Sequence, residues 1–305
     1  MRWVRSRGIR NALGFVVTLA IALSFGIRLS RPTGPARITV LPVGDAITYL
    51  IEDDDGRRII VGGGGTDAAL RAFSERTWPW ERRVDMLVLS PPFRDHLPGA
   101  TELVRRTAVG RVIEIGGPGT KPPARYDPWQ LATLDRGHVP ERLWGHVTIP
   151  LARGATLDLI APEAPDGIPL KLSVKAPKPS RSSRTPQTAT DPESGAASGG
   201  YLRLSNGSVS LLVALGAPDA TFPGFARLIG PTLFVAPNSP ALPTLTGYVR
   251  PWALVDLFSG TEPESTTLPT RTLIVPQGQA FTMLLDPHGV RIQGIPDIPA
   301  WAAHV

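Results

Sequence analysis

The sequence contains no cysteine, which excludes disulfide frameworks, Cys-ligated zinc, iron–sulfur clusters and thiol nucleophiles. Histidine is scarce too: His96, His138, His146, His288 and His304 are all there are. Charged residues make up only 19% of the chain and apolar residues 42%, a balance that supports a packed core and excludes wholesale disorder. The length of 305 residues suits two domains, or one α/β domain of roughly 200 to 250 residues with appendages.

The formal net charge of +6 is not spread along the chain. Residues 1–37 hold Arg2, Arg5, Arg7, Arg10, Arg28, Arg31 and Arg37 and no acid, so this stretch alone accounts for the excess. A second basic cluster (Lys171, Lys175, Lys178, Arg181, Arg184) meets only Asp191 and Glu193. The remainder is mildly acidic, which argues against a broad nucleic-acid-binding surface.

One long apolar run stands out, residues 11–27 (NALGFVVTLAIALSFGI), preceded by four arginines. At a helical rise of about 1.5 Å per residue it is just long enough to cross a hydrocarbon core, and a signal-peptide segment is the competing reading. Ser24-Phe25-Gly26 is a poor cleavage site, so residues 1–29 are expected to be an uncleaved transmembrane anchor. Arginine ahead of the run favours a cytoplasmic amino terminus and an extracytoplasmic globular domain, in a single-pass protein of a bacterial-type cell membrane.

After a Pro/Gly linker at 30–36, short β-branched runs predict strands over 38–41, 47–52 and 57–62, with a hairpin turn at Asp53–Gly56. A helix is predicted over 67–76, a buried strand over 84–90, a helix over 101–107 and a strand over 111–116. Between 120 and 170 only 146–149 and 156–160 read as strands. Residues 173–200 have almost no large apolar side chain and are expected to be a disordered surface insertion. Strand signals resume at 201–216, around the Asn206-Gly207 turn, and continue at 232–237, 252–259, 271–276 and 280–293. Alternating strands and helices define an α/β class, and 294–305 form a tail.

Two features in order carry a family likeness. The first is Leu41-Pro42-Val43-Gly44-Asp45-Ala46-Ile47, followed by a hairpin and Gly62–Gly65. The second is Leu89-Ser90-Pro91-Pro92-Phe93-Arg94-Asp95-His96-Leu97-Pro98-Gly99, which matches an LTHPDADHIGG turn. Together they make residues 37–293 resemble the metallo-β-lactamase fold, and within it the soluble hydrolase-like domain of ComEC-type DNA-uptake proteins. The resemblance implies an αβ/βα four-layer sandwich of two mixed β-sheets flanked by helices, behind the membrane anchor. It also implies two divalent metals, typically zinc, whose bridging hydroxide attacks an ester or amide.

The ligand positions depart from that pattern. Pro91, Phe93, Gly62, Ala217 and Pro237-Asn238 stand where the family has its His and Asp ligands, and only Asp95 and His96 survive as vestigial metal positions. Pro and Phe offer no donor atom to any metal. Asp219, two residues beyond Ala217, is the one nearby substitute. Asp95 has a plainer reading, as the cap of a helix starting near Leu97-Pro98. Gly62–Gly65 lacks phosphate-loop spacing, and Trp78 and Trp80 read either as core aromatics or as a base-stacking pair.

The resemblance therefore implies a membrane-tethered, catalytically inactive ComEC-like binding or structural module in DNA uptake at the cell surface. It implies no catalytic residue, no cofactor, and single-stranded DNA or a channel-type membrane protein as partner. Phosphate binding would use the basic insert or a local patch around Arg82-Arg83 or Arg105-Arg106. The alternative is a metal-dependent hydrolase of the phosphodiesterase or nuclease kind, with a reduced site at Asp95 and His96.

Overall fold

Strands whose apolar residues face both ways need a partner layer on each side, and that requirement organises this chain. The computed structural model describes residues 15–18, 34–43, 46–65, 67–77, 82–91, 93–116, 126–162, 200–215, 230–237, 251–257, 271–275, 279–296 and 298–300. The predicted insertion (Gly200 apart), the 301–305 end of the tail, Trp78, Trp80, Ala217, Asp219 and Asn238 lie outside the described residues. Of the expected anchor only 15–18 are described, a helical turn with Phe15, Val16 and Val17 exposed. Among the described residues no helix is long and apolar enough to cross a membrane.

The first sheet is built from β1 (Ala36–Val43), β2 (Ala46–Glu52), β3 (Arg58–Val61), β4 (Arg83–Leu89), β5 (Ala108–Ile115) and β6 (Glu141–Leu143). The last hairpin, β14 (Phe281–Asp286) and β15 (Gly289–Gln293), completes it in the order β15-β14-β1-β2-β3-β4-β5-β6. Its β15–β3 part is antiparallel and β3–β6 are parallel. The second sheet contains β7 (His146–Pro150), β8 (Thr156–Ile160), β9 (Gly200–Asn206), β10 (Val209–Leu215), β11 (Leu233–Pro237), β12 (Ala253–Leu257) and β13 (Thr272–Val275). Its order is β13-β12-β11-β10-β9-β8-β7, with β10–β13 parallel.

Side-chain parity sorts the core into layers. Alternate residues such as Ile38, Tyr49, Val61 and Val88 meet Leu202, Val213, Val235 and Val255 between the sheets. The opposite parity of the first sheet (Leu50, Ile60, Leu87, Val112) packs on α1 (Ala68–Ser74), α2 (Phe93–Arg106) and α3 (Tyr126–Asp135). The outer face of the second sheet buries Tyr201, Leu212, Phe234 and Leu254. The described residues thus form two mixed sheets with helices on one outer face and a buried apolar surface on the other, an α/β sandwich.

Most predicted elements are found within a few residues. Three differ: α2 begins at Phe93, eight residues before the predicted start, and α3 and β6 were not predicted at all. Pro98 lies inside α2, where its ring suits only the first turns, and the Pro-rich 91–98 stretch masked the apolar spacing of Phe93, Leu97 and Ala100.

The parallel strands give the sandwich two rims. β3, β4, β5 and β10–β12 all run from a lower rim to an upper rim, and the upper rim gathers Gly62, Pro91, Phe93, Asp95, His96 and Pro237 from separate segments. Polar bonds tie the sheets near both rims. Towards the upper one the Tyr49 hydroxyl donates to the Ala214 carbonyl at 3.4 Å, and burial holds its pKa well above the usual phenol value. At the lower rim Arg57 Nη1 donates to the Pro150 carbonyl (2.7 Å) and buried Asp53 accepts the Ala152 N–H (3.3 Å). Tyr49→Phe should lower stability by about 1 kcal/mol, the net worth of one buried hydrogen bond. A urea midpoint unchanged from the parent would contradict the inter-sheet role.

Candidate functional site

The upper rim is where the resemblance expects metal ligands, and two segments build its first half. The backbone leaves β3 through Gly62, whose φ of +95° no L side chain adopts comfortably. The Gly62 N–H is held by the Val88 carbonyl at 2.8 Å. The next glycines run against the first turns of α2. A Cβ on Gly63 would collide with the His96 carbonyl and the Ala100 nitrogen, and one on Gly99 would collide with the carbonyl oxygens of Gly63 and Gly65. The Gly99 N–H donates to the Gly64 carbonyl at 3.0 Å. Loop and helix are in backbone-to-backbone contact that only glycine permits.

His96 is the side chain that this contact organises. It is 5% exposed, and its Nδ1 accepts from the Gly63 N–H at 3.3 Å and, more weakly, from the Gly64 N–H at 3.5 Å. A ring nitrogen that accepts is the unprotonated one, so the imidazole is neutral. Burial lowers its pKa from the ordinary 6.5 to about 4. Between these values the unfolded chain takes up a proton that the folded chain refuses, so stability falls as pH drops. The expected loss between pH 7 and about pH 5 is about 2 kcal/mol. His96→Gln, whose oxygen accepts the same N–H without titrating, should remove that slope when chemical denaturation is compared at the two pH values. An unaltered slope would refute the assignment.

Asp95 points elsewhere. Neighbouring helical residues project about 100° apart, and Asp95 is exposed, with no hydrogen-bond partner among the described residues. It is the third residue of α2 rather than the cap ahead of it, because the helix starts at Phe93. A carboxylate in a first turn still favours the helix through the dipole. Phe93 and Pro91 are buried, Phe93 in the layer between the first sheet and the helices.

As donors for two divalent ions these residues do not fit. The His96 Nδ1 lone pair is taken by backbone N–H groups, Asp95 diverges from it, and no cluster of three His, Asp or Glu exists among the described residues. Among the described residues the other histidines do not join them. His146 sits on β7 with Asp158 (3.1 Å) and Thr148 (3.4 Å), and His288 lies in the β14–β15 turn.

A buried acid that the sequence reading left without a role also lies near this rim. Glu114, 1% exposed near the end of β5, accepts from the Tyr126 hydroxyl at 2.8 Å and from Trp129 Nε1 at 2.7 Å. Arg142 Nε lies 3.9 Å from it. Burial, and then the Glu114 charge, push the Tyr126 pKa up to about 12. Both lone-pair sets of the carboxylate are engaged with α3, so Glu114 fastens that helix to the sheet. The sequence clue was a lone Glu inside the apolar run of RVIEIG.

The sequence matches no protein-family profile and no curated protein. Solved structures are similar to it. The metallo-β-lactamase fold protein YhfI from Bacillus subtilis superposes with a TM-score of 0.49 at 12% identity, covering 81% of this chain and 99% of that one. A diphosphatase of the PhnP family gives 0.46 at 13% identity, over 81% of this chain and 96% of the other. Zn²⁺-bound PqqB from Methylobacterium extorquens gives 0.46 at 13%, over 78% and 86%.

Proposed function

We propose that this chain is a membrane-tethered, catalytically inactive relative of metallo-β-lactamase-fold hydrolases, of ComEC-like type, that serves as a binding or structural module at the cell surface. The observation that supports inactivity is the state of His96. Its Nδ1 accepts from the glycine loop, the tautomer that keeps the proton on Nε2, so neither ring nitrogen offers a free lone pair to a metal. Single-stranded DNA or a channel-type membrane protein is the partner class that the ComEC-like resemblance suggests. The apolar segment 11–27 with its flanking arginines supports the tether.

Metal analysis of the full chain, purified in detergent and dialysed against zinc, tests inactivity. Less than about 0.2 zinc per chain is expected, together with no hydrolysis of an activated phosphodiester. Stoichiometric zinc lost in His96→Ala, with turnover lost alongside, would replace this reading with the reduced-site hydrolase. For the DNA role, fluorescence anisotropy with labelled single-stranded DNA at about 50 mM salt should show binding that weakens as salt rises. No binding at that salt would leave a protein partner as the module's target.

A further inference from the structure

The lower rim is where the chain comes into the fold. The Gly34 N–H donates to Asp54 Oδ1 at 2.6 Å, and Arg37 Nη2 pairs with Glu52 at 2.8 Å. These bonds seat the start of β1 on the β2–β3 turn. Fully extended, the six residues from Arg28 to Thr33 span about 20 Å. If residues 11–27 lie in a bilayer, the lower rim is held within that distance of it.

Three register relations assemble the rest of this rim. Ala36 pairs with Leu285, which brings the β14–β15 turn and His288 beside the incoming chain. The starts of β10, β11 and β12 lie at the same end, and Val209, Pro231, Thr232, Trp252, His288 and Gly289 line an open depression of about 440 Å³. Arg83 pairs with Ala108, and the Arg82 carbonyl accepts the Ala108 N–H at 2.7 Å, so the two arginine pairs separated in sequence become neighbours.

The side chains at this rim suit a headgroup layer. Trp252 is 46% exposed and Arg271 stacks over its ring at 3.8 Å. Arg271 is exposed and makes no ion pair among the described residues. On the other side, Arg105 and Arg106 share the single carboxylate of Glu102, and Arg83 pairs with Asp85, whose other oxygen takes the Arg58 N–H. Asp286 of the β14–β15 turn pairs with Arg291, and exposed Asp55 and Glu75 make no ion pair among the described residues. Arginines still outnumber carboxylates among the described residues of this face. Indole is favoured at the membrane–water interface, and guanidinium binds phosphate in a fork of two bonds.

We propose that the lower rim lies on an anionic phospholipid surface, with Trp252 and Arg271 as its interfacial contact, and that the Asp95–His96 rim faces away from the bilayer. This assignment rests on the proposed tether. A chain whose only contact with the membrane were the anchor would tumble freely on its linker. The rim contact fixes which end of the sandwich is open to a partner from the aqueous side.

Absence of cysteine makes the test direct. Single-cysteine variants of the full chain, His288→Cys at the lower rim and Asp95→Cys at the upper, carry a nitroxide and are reconstituted into phosphatidylcholine vesicles with about 30 mol% phosphatidylglycerol. Accessibility to a water-soluble nickel chelate is expected to be about fivefold lower at position 288 than at position 95. Arg271→Glu, or vesicles of phosphatidylcholine alone, should remove most of that difference. Equal accessibility at both positions, in protein that floats with the vesicles, overturns the rim contact while the tether stands. Full protection at 288 in neutral vesicles overturns the anionic assignment. Protein that does not float overturns the tether and, with it, the rim contact.

Discussion

Gly99→Ala is expected to cost more than about 4 kcal/mol and to leave most of the chain insoluble or unfolded at room temperature. The added methyl group would enter the carbonyl oxygens of Gly63 and Gly65, which are backbone and cannot rotate away. Moving the loop outward breaks the Gly99–Gly64 hydrogen bond and withdraws the Gly63 N–H from His96. His96 is then a buried imidazole without a donor to satisfy its acceptor nitrogen. Moving α2 instead opens the packing of Phe93, Leu97, Ala100 and Leu103 against the first sheet. Gly65→Ala is the control in the same loop, because a Cβ there meets nothing within 4 Å. It should change stability by no more than about 0.5 kcal/mol. Urea denaturation of the two variants decides the matter, and equal stability would refute the interlocked contact.

Glu114→Ala should cost about 4 kcal/mol. It leaves the Tyr126 hydroxyl and Trp129 Nε1 buried without an acceptor and takes away the carboxylate nearest Arg142, and orphaned buried donors cost more than the bond they lose is worth. Glu114→Gln retains one acceptor oxygen and should lose about half as much. Because Trp129 is fully buried, loosening of α3 should also redshift tryptophan emission before global unfolding. If Ala and Gln are equally mild, the carboxylate is not what fastens the helix.

The strands were legible because their chemistry is local. β-Branched alternation at 38–41 and 47–52 and the Asn206-Gly207 turn specify hairpins through residues that sit side by side in the chain. The parallel half was legible in its elements and only by resemblance in its order. Helix α3 was missed because YDPWQLATLD has a proline in its first turn and apolar residues on both faces: Tyr126, Trp129, Ala132 and Thr133 are buried while Leu131 and Leu134 are exposed. The site divides in the same way. That Pro91 and Phe93 cannot bind metal was readable from residue type. That His96 would be turned inward onto Gly63 was not, because it depends on a contact between residues 33 apart that exists only once β3 and α2 are packed. Four glycines in a row gave a signal for close approach, which a comparison with phosphate-loop spacing alone does not pick up. The meeting of Arg82-Arg83 with Arg105-Arg106 was likewise invisible until β4 and β5 were placed side by side.

The place of β1 has a consequence for how the protein is made. It is an inner strand of the first sheet, yet one of its neighbours, β14, lies across the longest reach of the fold; Thr39 and Thr282, whose hydroxyls meet at 3.0 Å, are separated by 243 positions. During synthesis β1 and β2 can pair at once, but the far edge of β1 stays open until residues 281–286 have been made. Closing that gap is slow, since a long loop must be ordered before any contact offsets it. The nascent chain therefore carries an unpaired edge strand for most of its elongation, the kind of edge that recruits other chains. A chain stopped before Phe281 would keep that edge permanently, so the closing hairpin acts as a latch that marks the end of assembly.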